Sequence, residues 1–389
     1  MEEKEEIKNQ YNDYIVNTYN KFDLAIKEGN GATFVDFNDK TYIDFTSGIA
    51  VNTFGVNDSE WKNAVISQIN EYQHTSNLYY TKPQADLAEL LCKKTSAKKV
   101  FFSNSGAEAN ECAIKTARKY GFDNYSGERY EIITLKNSFH GRTMATLSAT
   151  GQDSMHKFFN PFLSGFKFAE ANNISDLQKN ITEKTVAVMI ELIQGESGVN
   201  VLDKNYVKAV EKICHDRDLL LIIDEVQTGN GRCGSLYAFM QFDIKPDIVT
   251  TAKGLAGGLP FGATLFFDKT ENVLQSGQHG STFGGNPVCA AAALSVLKRL
   301  DKQLFLEVQG KSEYIKTFVL RMKKVKSVSG MGLMLGLEIE GNARETAEKC
   351  LEKGLIVLTA KNKIRLLPPL NITKTEIESG LQILNEVLN

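Results

Sequence analysis

The stretches TVAVMIEL (185 to 192), LLLIIDEV (219 to 226) and DIVTTAK (247 to 253) are apolar almost without interruption, and polar or amphipathic segments separate them. A strand with one wet face alternates polar and apolar residues, so strands without alternation must be covered on both sides. Between the first two lies NYVKAVEKICHD, with apolar residues at helical spacing, and the three segments read as a β-α-β unit. ATLFFD (263 to 268) continues the series. KVFFSNS (99 to 105) adds a strand, and AEANECAIKTARKYG after it adds a helix with Ala109, Cys112, Ala113, Ala117 and Tyr120 on one face. The expected fold class is α/β, a mostly parallel sheet with helices on both faces.

The last third of the chain reads differently. GMGLMLGLEIE (330 to 340) alternates, NARETAEKCLEKG has a helical pattern, LIVLTA and IRLLPPL follow, and a final helix starts at Lys374. Near the other end, ATFVDFNDKTYIDF (32 to 45) has the pattern of a hairpin. A smaller α+β domain built from both chain ends, residues 1–47 and 291–389, is expected beside a large ligand-binding domain, residues 48–290.

Composition narrows the partners. A formal net charge of -2 argues against a nucleic-acid-binding surface, and small molecules are the expected ligands. The start, MEEKEEIKNQ, lacks the basic and apolar regions of a secretory signal, and no apolar run reaches the roughly 18 residues of a membrane helix, so a cytoplasmic protein is expected. The six cysteines are scattered, with no close pair and no histidine cluster, which predicts buried reduced thiols and no metal site.

In parallel α/β sheets ligands gather beyond the carboxyl ends of the strands, and three of those ends carry polar residues. SNSGAEANE (103 to 111) delivers Ser105 and Gly106 to a helix start, where free N–H groups form an anion site; the same spacing of Ser105 and Glu108 also reads as a capping box. Asp224 follows a run of apolar residues and, if buried, needs a cation or hydrogen-bond donors, a nearby arginine being the structural alternative. Lys253 ends the third strand and is followed at once by a glycine-rich turn. A buried ammonium is costly unless it is paired, loses its proton or reacts, and condensation with an aldehyde cofactor as a Schiff base resolves the anomaly. GNGRCG (229 to 234) satisfies the spacing of a dinucleotide fingerprint, but DEVQT intervenes after the strand and the next strand ends in lysine, not an acid.

SNSGAEANE, FHGRT (139 to 143), IIDEVQTGNGRCG, TTAKGLAGGLPFGA and STFGGNP (281 to 287), in this order, resemble the class III aminotransferases of the pyridoxal-phosphate fold type I superfamily. The resemblance runs from about YIDFTSGIAVNTFG to IRLLPPL. It implies a central sheet of seven strands and pyridoxal 5'-phosphate held as a Schiff base by Lys253. It implies further that Asp224 keeps the ring nitrogen protonated and Gln227 sits near the phenolic oxygen. Ser105, Gly106 and Ala107 would hold the phosphate, Phe139 would stack on the ring, and the displaced Lys253 amine would carry the substrate proton. It also implies a homodimer with composite sites, Thr282 of one subunit reaching the phosphate in the other and Ser281 standing near the substrate; on turn composition alone, GSTFGGNP is an ordinary glycine-rich turn.

Within the class, HTSNLYYTKPQADLAELL and IRLLPPL look most like members that act on N2-acetylornithine. That implies transfer of its δ-amino group to 2-oxoglutarate, giving N-acetylglutamate 5-semialdehyde and glutamate, a step of arginine biosynthesis. Arg142 would take the α-carboxylate of acetylornithine and Arg365 that of 2-oxoglutarate, for which the planar guanidinium fork is suited. Glu196 would neutralise Arg365 when the donor binds and swing away for 2-oxoglutarate. Ile49 stands where ornithine aminotransferases resembling this chain have a tyrosine for the free α-amine, which favours an acylated donor. Succinyldiaminopimelate, ornithine and 4-aminobutyrate remain alternative donors, and an aminomutase is the alternative of another class.

Overall fold

The computed structural model describes residues 2–389. Its centre is a seven-stranded sheet of β1 (Lys99–Ser103), β2 (Glu131–Leu135), β3 (Phe166–Ala169), β4 (Thr185–Ile190), β5 (Leu220–Asp224), β6 (Ile248–Thr251) and β7 (Gly262–Phe266). The order across the sheet is β1-β7-β6-β5-β4-β2-β3. Every residue of β4, β5 and β6 is buried, as their unbroken apolar runs require. The helix Lys204–Asp216 crosses from β4 to the parallel β5, and Asp203 caps it by accepting from the Asn205 and Tyr206 N–H groups at 2.8 and 3.0 Å. β7 runs antiparallel to both β6 and β1. No crossover helix follows β6, only a short turn at Lys253–Ala256, so the chain returns along its own edge.

The helix Gly106–Tyr125 lies on this sheet by the expected face: Ala109, Cys112, Ala113, Ala117 and Tyr120 are all buried. Small side chains there let the helix approach the strands closely, which brings its first turn to the ends of β5 and β6.

The two chain ends meet. Thr33–Asp36 and Thr41–Asp44 form the expected hairpin, extended on one side by Ile26–Asn30 and on the other by Leu355–Ile356, which pairs parallel with Ile43 and Asp44. A second, antiparallel sheet has the order Val325–Met331, Met334–Ile339, Lys363–Leu366, Leu358–Ala360. Two segments differ from the sequence pattern. The alternating run 330–340 is a hairpin turning at Gly332, whose φ of 53° suits glycine, and LIVLTA is divided at Val357 between the two sheets.

GNGRCG joins these parts. The Arg232 guanidinium is buried and donates to the carbonyls of Leu333 at 3.1 Å and Pro368 and to Ser47 Oγ at 3.3 Å, while Asn230 Nδ2 donates to Thr251 Oγ1 and Ala252 O, both at 3.0 Å. The loop's polar groups are spent on packing the sheet against the chain ends. Of the cysteines, Cys112, Cys214, Cys233 and Cys350 are buried, whereas Cys92 and Cys289 are half-buried, and none is paired. Among the described residues no group of side chains could hold a metal, and no helix is long and apolar enough to cross a membrane.

Candidate active site

A cavity of about 420 Å³ opens at the carboxyl ends of β1, β5 and β6, lined among others by Ser105, Gly106, Phe139, Asp224, Gln227 and Lys253. At its first wall Ser105 caps the helix: its Oγ accepts from Glu108 N at 3.2 Å, and the Glu108 carboxylate accepts from Asn104 N at 2.8 Å. Only half of the capping box forms, because Glu108 reaches back to Asn104 N and not to Ser105 N, and the cap leaves the Gly106 and Ala107 N–H groups without an acceptor among the described residues. These face the cavity with the positive end of the helix dipole, an anion site. A Cβ on Gly106 would lie 2.6 Å from Val226 Cγ1, so glycine is what lets the loop after β5 fold over the helix start.

Asp224, only 4% exposed, is satisfied by donors and not by an arginine. Its Oδ2 accepts from Asn110 Nδ2 and His140 Nδ1, both at 2.8 Å, and its Oδ1 from Val226 N at 3.0 Å. Asn110 is held in turn by Thr250 of β6, which donates to its Oδ1 at 2.6 Å. His140 Nε2 is buried without a partner. The carboxylate is thus fixed by side chains from a helix, a loop and a neighbouring strand, and it borders the cavity.

Lys253 sits just beyond β6 in a left-handed conformation, φ 46°, and its Nζ has no hydrogen bond among the described residues. Burial pushes its pKa down to about 8; Glu196 and Asp224 oppose this, and Arg365 adds to it. A substantial neutral fraction makes the amine a nucleophile near physiological pH.

On the far side, Arg365 of Lys363–Leu366 is buried and Glu196 lies in the turn between the short strands Ile193–Gln194 and Asn200–Val201. Arg365 Nη1 meets Glu196 Oε1 at 2.7 Å and donates to Gln227 Oε1 at 3.1 Å, while Gln227 Nε2 donates to Glu196 Oε1 at 3.1 Å. Burial raises the Glu196 pKa, but the Arg365 charge and hydrogen bond outweigh it, and the carboxyl titrates below its usual range. A Cβ on Gly195 would stand 2.2 Å from Gln227 Oε1, so the glycine makes this three-way contact possible.

The remaining expected residues are spread more widely. Arg142 is exposed, with its guanidinium 5.6 Å from the Phe139 ring, and lines the cavity without a carboxylate partner among the described residues. Ser281 Oγ accepts from Asn104 Nδ2 of its own chain at 3.1 Å and from Gly284 N at 2.9 Å. Thr282 is exposed and borders no part of the cavity. Ile49, at φ 64°, belongs to a left-handed turn that also contains Ser47, Gly48 and Ala50, and its side chain is 40% exposed.

The family model described as Aminotransferase class-III matches residues 14–388. The chain belongs to the class III aminotransferases. It is 49% identical over 388 residues to an acetylornithine aminotransferase of Haemophilus ducreyi, covering 99% of each chain, and 45% identical to one of Caldanaerobacter subterraneus, covering 97% of each. Among solved structures it is similar to N-acetylornithine aminotransferase from Stenotrophomonas maltophilia, with TM-score 0.84, 33% identity and 98% of each chain covered. It is also similar to ornithine aminotransferase from Toxoplasma gondii, with TM-score 0.95 and 27% identity, covering 99% of this chain and 94% of that one.

Three residues of this class III aminotransferase that the sequence does not single out belong to the site. Asn110 and His140 hold Asp224, and Glu191, 6% exposed, lines the cavity and accepts from Phe139 N at 2.9 Å. Burial, with Asp224 close by, drives the Glu191 pKa well up. His140 adjoins Phe139 in FHGRT, Asn110 lies one helical turn beyond Gly106, and Glu191 directly follows the apolar run TVAVMI at a strand's carboxyl end.

Proposed function

We propose that this aminotransferase moves the δ-amino group of N2-acetylornithine to 2-oxoglutarate, with pyridoxal 5'-phosphate as cofactor, in the biosynthesis of arginine. The cavity meets the cofactor's three chemical needs: an unpartnered amine of lowered pKa, unsatisfied N–H groups at a helix start, and a buried carboxylate held by donors. When bound, pyridoxal phosphate supplies an aldehyde for amines and a ring that accepts the electron pair left as a carbon–hydrogen bond breaks.

The protein's part is to hold, orient and move protons. The Ser105 hydroxyl and the Gly106 and Ala107 N–H groups would take the phosphate, Phe139 the ring face, Gln227 the phenolic oxygen, and Asp224 would keep a proton on the ring nitrogen. Lys253 Nζ, once free, would carry the proton from the substrate carbon bearing the amine to the carbon that was the cofactor's aldehyde, and would carry a proton the opposite way in the second half-reaction. Arg142, exposed at the mouth and unpaired, suits the α-carboxylate of the donor, and Arg365 that of 2-oxoglutarate.

The 2.7 Å pair of Arg365 and Glu196 carries the choice of donor. The reacting δ-carbon of acetylornithine has no carboxylate beside it, so Arg365 would be left as an unpaired buried cation if nothing replaced the substrate carboxylate. Arg365 is 3% exposed and Glu196 28%, so breaking the pair falls between the 0–1 kcal/mol of a surface bridge and the roughly 3–5 kcal/mol of a fully buried one, with the cost resting on the arginine. Glu196 therefore stays for the donor and yields only to another carboxylate.

A homodimer with Thr282 and Ser281 completing the partner's site, a cytoplasmic location, and the division into residues 48–290 and residues 1–47 with 291–389 belong to the same proposal. The dimer is supported by exposed apolar side chains, Leu78 at 87%, Tyr80 at 107% and Phe283 at 59%, beside the loop that carries Thr282. The test compares kcat/KM for acetylornithine, succinyldiaminopimelate, ornithine and 4-aminobutyrate with 2-oxoglutarate as acceptor. Acetylornithine should lead, and ornithine in first place would overturn the assignment.

A further inference from the structure

The closed pair raises a question of where the Glu196 carboxylate goes when 2-oxoglutarate takes Arg365. Its side chain is 28% exposed, so it has room to turn, but a half-buried carboxylate released without a partner would oppose acceptor binding. Arg365 lies on the strand Lys363–Leu366, where residues two apart share a face, and Lys363 is therefore the next side chain on the face that carries Arg365. The turn bearing Glu196 runs alongside that face: Arg365 donates to Gly195 O at 3.4 Å, and Lys363 Nζ donates to Asn200 Oδ1 at 3.3 Å. Between these contacts the Lys363 stem rests over Gly198, 3.6 Å from where a Cβ would be, two residues from Glu196.

Lys363 is half-buried, and its ammonium spends its hydrogens on neutral groups, Asn200 Oδ1 and, at 3.2 Å, Ser329 Oγ. No carboxylate lies within ion-pair distance of it among the described residues. Glu338 stands directly opposite on the neighbouring strand, but its Oε2 accepts from Ser327 Oγ at 2.9 Å. One strand face thus offers two cations in succession, roughly 6–7 Å apart along the chain, to a single carboxylate on the facing turn.

We infer that Lys363 is the second docking point of the Glu196 switch, a positioning residue that receives the carboxylate when a 2-oxo acid or glutamate occupies Arg365. The inference rests on the proposed switching of Glu196. The two cations make the exchange nearly balanced. The substrate carboxylate replaces Glu196 at Arg365 while Glu196 gains a charge-assisted hydrogen bond to Lys363 in place of that lysine's neutral acceptors. Acceptor specificity is then set partly by a residue that never touches the substrate.

The two half-reactions, followed separately by the absorbance of the cofactor-loaded enzyme, test this with a double-mutant cycle. Lys363→Met should raise the KM for 2-oxoglutarate and for glutamate roughly three- to tenfold relative to that for acetylornithine, with the loss in KM and not in kcat. Lys363→Arg should restore most of it. In a Glu196→Ala background, Lys363→Met should add nothing, because no carboxylate remains to be received. An effect of equal size with and without Glu196, as expected if Lys363 serves Glu338 or only the local fold, would overturn the inference, and so would equal effects on both half-reactions. Glu196→Ala by itself separates the two ideas. If it alters both half-reactions alike, the switch fails; if it alters them differently while Lys363→Met shows no coupling to it, only the role of Lys363 fails.

Discussion

Lys253 is destabilised in place before any cofactor arrives. Its amine is held near pKa 8 by burial, against the ordinary lysine value of 10.5. Below pH 8 the folded chain carries a charge it holds less favourably than the unfolded chain does. Between about 8 and 10.5 the unfolded lysine is still protonated while the folded one is neutral, so rising pH favours folding across that window. Lys253→Met should therefore raise the melting temperature of the cofactor-free protein most at pH 7 and least near pH 10, while abolishing transamination at every pH. A melting-temperature difference that does not shrink with pH would contradict the lowered pKa. His140 makes a second case, since its imidazole is committed at 2.8 Å to Asp224 with no exposed atom. His140→Phe should keep the ring volume, leave Asp224 short of one donor, and lower kcat more than it raises KM for either substrate.

Among the elements, those buried on two sides are legible in the sequence, and those whose place depends on chain direction or local partners are not. The strands β4, β5 and β6 and the helix after β1 are legible because every residue, or every residue of one face, obeys a single environment. LIVLTA is not legible as two strands, since its residues suit either sheet and only the tertiary positions of Thr41–Asp44 and Lys363–Leu366 divide it at Val357. The site follows the same rule. Ser105, Asp224 and Lys253 stand at strand ends and announce themselves, and Glu191, directly after β4, carries the same signal, whereas Asn110 and His140 become site residues only because a helix and a loop converge on Asp224. The convergence at the helix start is tight enough to test. Gly106→Ala should weaken pyridoxal-phosphate binding roughly tenfold, because its new Cβ meets Val226 at 2.6 Å and must push the β5 loop or the helix start aside. Val226→Ala removes the atoms it meets, so the Gly106→Ala/Val226→Ala pair should recover most of the loss in a cofactor titration, and failure to recover would place the defect elsewhere.

At the scale of the whole molecule, the loop that carries Thr282 lies outside the cavity of its own chain. Thr282, expected at the phosphate of the other subunit, is exposed, and the loop around it lies against Asn77 in a patch that exposes Leu78, Tyr79, Tyr80 and Phe283. Contiguous apolar surface of this kind favours association, and a two-fold dimer would set each patch against its copy. If Thr282 works across that interface, two inactive proteins can complement one another. Mixing Lys253→Ala and Thr282→Ala chains after dissociation gives hybrid dimers in which one site carries both defects and the other carries neither. With free exchange about half of the dimers are hybrids and half of their sites are intact, so about a quarter of the wild-type activity should appear. If Thr282 instead serves the site of its own chain, every site in every hybrid is defective and mixing restores nothing above the two parents, an outcome that native mass spectrometry of the mixed sample, with one parent carrying a mass tag, would tell apart from a failure to exchange.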